Sequence, residues 1–176
     1  MEDRRCGSTC GCHRADQGSA AVLHLDLADS TGRLDTGVKA ELNALLERAG
    51  RELDARGEVR VRVVDDATMS DLHIRHSGVP GTTDVLTFDL RPMGLGPLDT
   101  DLVVCLDEAE RQAATRGHSP HRELLLYALH GMLHCMGHDD HDERAYARMH
   151  AAEDAVLTAI GVGPVFAKPV ADGGAA

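Results

Sequence analysis

The sequence predicts an α/β (α+β) fold, in which a single domain packs a small mixed sheet of about four strands against about five helices. Strand patterns lie mostly in the first two thirds of the chain, and three helical patterns close it. With 43% hydrophobic residues among 176, the chain can bury one aliphatic core. We expect the domain at residues 21–162, a disordered tail at 1–20 and a flexible tail at 163–176.

The first part of the chain alternates strands with two helices. Residues 59–64 alternate valine and arginine before a final valine pair, which is typical of a half-buried strand. From Thr36 to Ala55 the apolar residues recur at helical spacing and predict an amphipathic helix, and a short helix follows from about Asp66 to His73. The expected strands cover residues 21–27, 59–64, 84–90 and 102–106.

Three helices are expected in the last part of the chain. The first covers residues 107–116 and ends at Gly117. Ser119 and Pro120 form a good N-cap and first-turn pair, and they open a helix that runs to Met136. Apolar side chains cover nearly all faces of this helix, so we expect it to be buried. The last helix is expected at residues 142–160.

Composition limits the classes of partner. The formal net charge of −11 is unusual for a nonspecific nucleic-acid binder, so RNA would have to meet a local basic groove or a bound metal. No run of apolar residues is long enough for a transmembrane helix, and the N-terminus lacks the apolar core of a secretion signal. We therefore expect a cytoplasmic protein that does not bind membranes.

The five cysteines do not suggest a disulfide framework. Cys105 and Cys135 lie in a predicted strand and a predicted helix, where a free cysteine behaves as a small buried hydrophobe. The other three lie with a histidine in segment 6–13, whose spacing is not that of a familiar zinc finger. This segment is interpreted as a weakly chelating tail.

A histidine pair in the buried helix carries the main chemical signal. His130 and His134 are four residues apart, so their rings lie on one helix face and can bind one ion. A single buried histidine is usually a satisfied core residue, but two together need partners for several nitrogens. Gly137 can turn the chain back, and Asp140 or His141 can then supply a third ligand. Three such ligands with an open position describe a catalytic zinc site.

The residues between and after the two histidines indicate which type of metal site this could be. Gly131 stands where the zinc motif His-Glu-x-x-His has its general base, which makes a metalloprotease a minor alternative. His138 is a ligand only if the helix continues through Gly137; otherwise it is a candidate outer partner or proton carrier. The neighbouring pair Asp139 and Asp140 can also be a solvated cap of the last helix.

These residues resemble the YbeY family of bacterial rRNA maturation factors and metal-dependent endoribonucleases. The family signature H-G-x-L-H-x-x-G-[YFH]-D-H is matched by residues 130–140, except at the last position. Residues 83–88 are close to the family segment T-D-V-L-S-F, and residues 100–104 echo G-D-I-x-I. The order and spacing of the three segments fit over roughly residues 20–160.

The resemblance implies one zinc ion held by His130, His134 and Asp140, although the family usually has histidine at the third position. His141 is the competing third ligand. The resemblance also implies cleavage of single-stranded RNA, namely rRNA at the 16S 3′ end, during ribosome biogenesis. Ribosomal proteins are further candidate partners, and DNA is not expected to be one.

A functional arginine of the family aligns with Ser77, so the nearest arginine is Arg75. Arg75, His76 and Thr83 are the candidates to bind or orient the phosphate, and His138 is the candidate proton carrier. Two other interpretations remain open: a non-catalytic ribosome assembly factor with a structural metal, and a zinc hydrolase of another substrate class.

Overall fold

The structure is a computed structural model that describes residues 22–166. The predicted tail at 1–20, the cysteine-containing segment 6–13 and all but the first residues of the predicted tail at 163–176 lie outside this part of the chain. The strands are β1 (Leu23–Asp29), β2 (Gly57–Val64), β3 (Val85–Asp89) and β4 (Leu98–Cys105). The α-helices are α1 (Thr36–Glu52), α2 (Asp66–Ser77), α3 (Leu106–Arg116), α4 (Pro120–Cys135) and α5 (Glu143–Ala159).

The four strands form one mixed sheet in the order β1-β2-β4-β3. β1, β2 and β4 are parallel, with Val61 of β2 between Leu27 of β1 and Leu102 of β4. β3 pairs antiparallel with β4 and forms one edge, with Val85 opposite Val104. The predicted fold class, a small mixed sheet of four strands with five helices, is confirmed.

Helices cover the sheet on both faces. The larger core joins one face of β2 and β4 to α1, α3, α4 and α5. On the other face, α2 packs through Met69 on a smaller cluster that includes Val103 and Cys105. No helix among residues 22–166 is long and apolar enough to cross a membrane.

Helix α4 lies at the centre of the larger core, and most of its side chains are buried, as predicted. The side chain of Ser119 accepts a hydrogen bond from the backbone of Arg122 and caps the first turn. Gly131 faces the sheet, where an added Cβ would lie 2.6 Å from Cδ2 of Leu102 and 2.8 Å from Oγ1 of Thr87. The absence of a side chain at this position therefore lets α4 approach β3 and β4 closely.

Two element boundaries differ most from the sequence-based expectation, the start of β4 and the end of α2. β4 begins at Leu98, earlier than the predicted start at residue 102, because its first half alternates buried residues with Asp99 and Asp101. Arg60 of the neighbouring strand pairs with both of these carboxylates at 2.5 Å, so the acidic side chains are accommodated on the sheet surface. α2 continues to Ser77 and ends only at Gly78, which has a positive φ of 73°.

Candidate metal centre

Three side chains converge at the C-terminal end of α4. The Nε2 atoms of His130 and His134 are 2.9 Å apart. Oδ2 of Asp140 lies 3.7 Å from the first of these nitrogens and 3.8 Å from the second. This triad is partly buried, and its ligand atoms lie within 4.8 Å of one another.

The backbone after α4 brings Asp140 back toward the helix. Gly137 has a φ of 92°, and its N–H donates to the carbonyl of His134 while the next N–H donates to the carbonyl of Leu133. Oδ1 of Asp139 then accepts from the backbone N–H of Asp140 at 2.8 Å. The reversal and this local bond fix the loop so that the carboxylate of Asp140 faces the two histidines.

Hydrogen bonds on the far side of each ring assign the histidine tautomers. Nδ1 of His130 lies 2.7 Å from Oε1 of Glu153, and Nδ1 of His134 lies 3.1 Å from the carbonyl oxygen of His138. Both partners are acceptors, so each Nδ1 carries the proton and each Nε2 presents a lone pair.

The donor set of the triad fits a cation. Two nitrogen lone pairs 2.9 Å apart repel each other unless a proton or a metal cation lies between them. The nearby carboxylate of Asp140 adds a third acceptor and a negative charge. Two imidazoles and one carboxylate are ligands that zinc uses in open, catalytic sites.

The structure distinguishes the two candidates for the third position. The side chain of His141 is 83% exposed, and its Nδ1 is paired with the carboxylate of Asp139 outside the triad. Asp140 is only 33% exposed and lies beside both histidine nitrogens. The geometry therefore favours Asp140.

Two opposing effects act on the pKa of His130. Burial of the ring acts to lower this pKa, whereas the hydrogen bond and the negative charge of Glu153 raise it, and the net direction is upward. A proton therefore binds His130 more readily than it binds an ordinary histidine, and it competes with a metal for the same side chain.

A cavity of about 310 Å³ opens beside the triad. His130 and Asp140 form part of its wall, so a substrate group could lie beside the triad in this space. The remaining lining residues are Asp84, Arg116, Leu126, Tyr127, Tyr146, His150, Glu153 and Phe166.

The candidate phosphate-binding residues lie elsewhere on the surface. Arg75 and His76 are exposed near the end of α2, where the His76 ring meets the edge of Phe88 at 4.8 Å. Thr83 donates its hydroxyl to Oδ1 of Asp84 at 2.9 Å. Within residues 22–166, none of Arg75, His76 and Thr83 lines the cavity beside the triad.

His138 enters the site through its backbone. Its carbonyl oxygen accepts from Nδ1 of His134. Its side chain is exposed and, within residues 22–166, does not line the cavity. The sequence pattern suggested a role for the side chain, and the structure shows a contact of the main chain.

Sequence reasoning missed Glu153, whose carboxylate hydrogen-bonds Nδ1 of His130 on the side of the ring away from the triad. This carboxylate is 1% exposed. A signal existed in the pattern of α5, because Glu153 interrupts a stripe of buried apolar residues that includes Met149, Val156 and Leu157. An acidic residue at a core position of an amphipathic helix indicates a buried polar contact.

Comparison with known proteins identifies the family of the chain. A family model described as Endoribonuclease YbeY matches residues 26–161. The chain belongs to the YbeY family. A relative named Endoribonuclease YbeY from Symbiobacterium thermophilum is 40% identical over 129 residues, which cover 66% of this chain and 80% of that protein. Another relative of the same name, from Macrococcus caseolyticus, is 31% identical over 154 residues, which cover 80% of this chain and 97% of that protein. The predicted membership of an endoribonuclease family is thus confirmed.

A solved structure shares the fold. The solution structure of TM1509 from Thermotoga maritima aligns with a TM-score of 0.55 and 21% identity, covering 84% of this chain and 99% of that one. At this identity the likeness concerns the fold alone.

The three YbeY-like segments of the sequence meet in space. Residues 83–88 include most of β3, and residues 100–104 lie in β4, its antiparallel neighbour. Residues 130–140 extend from α4 into the loop that carries Asp140, and Gly131 contacts both strands through Thr87 and Leu102. Segments far apart in the sequence therefore form one unit around the triad.

Proposed function

We propose that the chain is a zinc-dependent endoribonuclease that cleaves single-stranded RNA in rRNA maturation, at the 16S 3′ end, and so acts in ribosome biogenesis in the cytoplasm. Membership of the YbeY family supports the reaction class. The observation that carries the zinc dependence is the convergence of two imidazole lone pairs and one carboxylate oxygen on a common point.

The proposed ligands are His130, His134 and Asp140. When bound, zinc supplies a Lewis acid for a phosphoryl oxygen and lowers the pKa of a coordinated water. The Asp140 carboxylate reduces the positive charge of the centre by one unit relative to a third neutral histidine. The side chains of His130 and His134 are held by their Nδ1 hydrogen bonds, so both Nε2 atoms keep a fixed direction.

Among residues 22–166, Arg116 is the cationic side chain that lines the cavity and could receive an RNA phosphate. However, both oxygens of the buried Glu123 already accept from it at 2.9 Å. We keep Arg75 and His76 as candidate phosphate-binding residues and His138 as the candidate proton carrier. With a net charge of −11, the chain depends on the metal and on these few groups to bind RNA.

The test is chelator-sensitive cleavage of labelled single-stranded RNA by the purified chain. We expect cleavage to disappear with chelator, to return with zinc, and to fall by more than about a hundredfold in His134→Ala, since loss of mere outer partners of metal ligands costs ten- to a hundredfold. His24→Ala is the matched control, because this exposed histidine of β1 lies outside the triad. Equal cleavage by His134→Ala would reveal a contaminating nuclease and contradict the proposal.

A ribosome assembly factor with a structural metal is the second candidate. The acidic chain would complement a basic partner such as a ribosomal protein. Folded, zinc-loaded chain that cleaves neither free RNA nor RNA in ribosome preparations would favour this function over the first.

A further inference from the structure

A buried carboxylate on α5 joins a triad ligand to a second histidine. Oε1 of Glu153 lies 2.7 Å from Nδ1 of His130, and Oε2 lies 2.6 Å from Nδ1 of His150. The carboxylate is 1% exposed, and each of its oxygens has one imidazole partner. His150, Glu153 and His130 therefore form a chain of two hydrogen bonds that ends at the triad.

The ring of His150 is held in place by aromatic neighbours. Phe166 stacks on it with a centroid distance of 3.7 Å and an interplanar angle of 28°. Tyr146 meets it edge to face at 4.0 Å. Nε2 of His150 is buried and has no hydrogen-bond partner within the described part of the chain. A proton on that nitrogen would be buried without an acceptor, so the proton lies on Nδ1 and is donated to Glu153.

A carboxylate buried this deeply needs a donor for each oxygen. Leaving one oxygen without a donor costs free energy, and the carboxylate would rotate or draw in water to recover a partner. Either change would disturb the bond from Glu153 to His130. The donor on the second oxygen thus keeps the first oxygen directed at the triad ligand.

We propose that His150 is a positioning residue for the metal centre, which acts on His130 through Glu153, and that Phe166 holds His150 in the required orientation. The inference rests on the proposed metal site. Phe166 lies beyond the residues 26–161 that the family model matches, so this arrangement adds a contact from the C-terminal side of the chain.

The experiment combines two measurements on the full chain. Imidazole ¹⁵N NMR of metal-free protein reports which nitrogen of His130 carries the proton, and competition with a chromogenic chelator gives the affinity for zinc. In wild type we expect His130 to be held as the Nδ1–H tautomer. In His150→Phe we expect a mixture of tautomers and about tenfold weaker zinc binding, the lower end of the range for outer partners of metal ligands.

Two further variants and one control separate positioning from packing. His150→Gln restores a donor to Glu153, so it should recover part of the affinity that His150→Phe loses. Glu153→Gln should weaken zinc binding by about ten- to a hundredfold, because the two Nδ1–H groups face different oxygens of Glu153 and one of them would meet the NH2 group of glutamine, which is a donor. His118→Phe should leave the affinity unchanged, since His118 lies 3.1 Å from a different buried carboxylate, that of Glu123.

The outcomes of the proposal and of the metal site can be told apart. Wild-type affinity and an unchanged His130 tautomer in both His150→Phe and Phe166→Leu would overturn the positioning role and leave the metal site intact. If wild type itself binds no zinc, the proposed function fails, and the tautomer of His130 in the metal-free variants still decides the positioning role.

Discussion

Asp140 is the residue that sets the charge of the proposed centre. It stands where the YbeY pattern usually has histidine, and its carboxylate lies beside both histidine nitrogens. A carboxylate ligand makes the bound metal less positive than a third imidazole would, so a coordinated water is acidified less. The activity of this chain should therefore depend more on its other proton-carrying groups.

The choice of Asp140 over His141 gives the first prediction. Asp140→Ala should weaken zinc binding by more than about a hundredfold, because it removes a ligand rather than an outer partner. His141→Ala is the matched control and should change the affinity little, since that ring is exposed. Competition titrations measure both constants, and the reverse order of effects would assign the third position to His141.

Acidity should oppose metal binding through His130. Its pKa is raised, so a proton begins to occupy the ring at a higher pH than in an ordinary histidine. Zinc needs the neutral ring, so its affinity should fall as the pH drops toward and below 6.5, the ordinary pKa of histidine, and the fall should begin at a higher pH than for an unperturbed ring. Chelator competition across this range measures the fall, with circular dichroism as a check that the fold persists. A pH-independent affinity would contradict the assignment of His130 as a ligand.

Spacing alone predicts the histidine pair of the candidate site, and the resemblance to the YbeY family adds Asp140 as the third ligand. His130 and His134 follow from helical periodicity. The choice between Asp140 and His141 depends on loop hydrogen bonds made by Gly137 and Asp139, which a pattern of residue types does not contain. Glu153 reaches His130 from another helix, 23 residues away in the chain, and such contacts are set by tertiary packing.

At the scale of elements, the contact of α4 with the sheet depends on Gly131. Gly131→Ala should destabilise the fold by about 1–3 kcal/mol, because the added Cβ would overlap Leu102 and Thr87 in a packed core. Thermal unfolding measures the change.

Gly37→Ala is the matched control for this helix glycine. In the first turn of α1 the added Cβ would meet only Oδ1 of the exposed Asp35, at 3.1 Å, and a shift of a few tenths of an ångström would keep the capping bond from the N–H of Val38 to this oxygen. Alanine is also the better helix former, so stability should stay the same or rise. Equal stability of Gly131→Ala and wild type would show that α4 can move away from the sheet at little cost.

The elements themselves were largely predictable from the sequence, since periodicity and caps give their type and order. The start of β4 was not, because Asp99 and Asp101 weaken the apolar pattern there. Their pairing with Arg60 depends on the neighbouring strand, and only the assembled sheet supplies that partner.

At the scale of the whole molecule, ion pairs connect the helices on the two faces of the sheet. Arg111 of α3 binds Asp66 of α2 at 2.6 Å and 2.8 Å. Asp107 of α3 accepts from the backbone N–H of Asp66 and also pairs with Arg33. These contacts lie at the C-terminal ends of β2 and β4, where α2 and α3 begin, and tie the smaller cluster to the larger core.

This connection predicts a dependence of stability on pH. The hydrogen bond from Arg111 lowers the pKa of Asp66 to about 2, below its ordinary value of 3.8. A lowered pKa in the folded state contributes stability above pH 3.8, and this contribution is lost as the pH falls toward about 2. Arg111→Met should therefore be less stable than wild type at neutral pH, by less than about 1 kcal/mol because the pair is partly exposed.

Urea unfolding at neutral and acidic pH measures this difference. The gap between wild type and Arg111→Met should shrink as the pH approaches about 2. Arg62→Met provides the control, since Arg62 is an exposed arginine with no ion pair among residues 22–166. A gap that stays constant through the acid range would mean that the variant acts by lost packing rather than by charge.

The close approach of α4 to the sheet also restricts how this helix can change in evolution. A glutamate at position 131 would complete the His-Glu-x-x-His sequence, but its Cβ would lie in space that Leu102 and Thr87 already fill. A single Gly131→Glu substitution would therefore place a larger side chain against packed residues of β3 and β4. A change toward the metalloprotease motif would have to be accompanied by a smaller side chain on one of these strands.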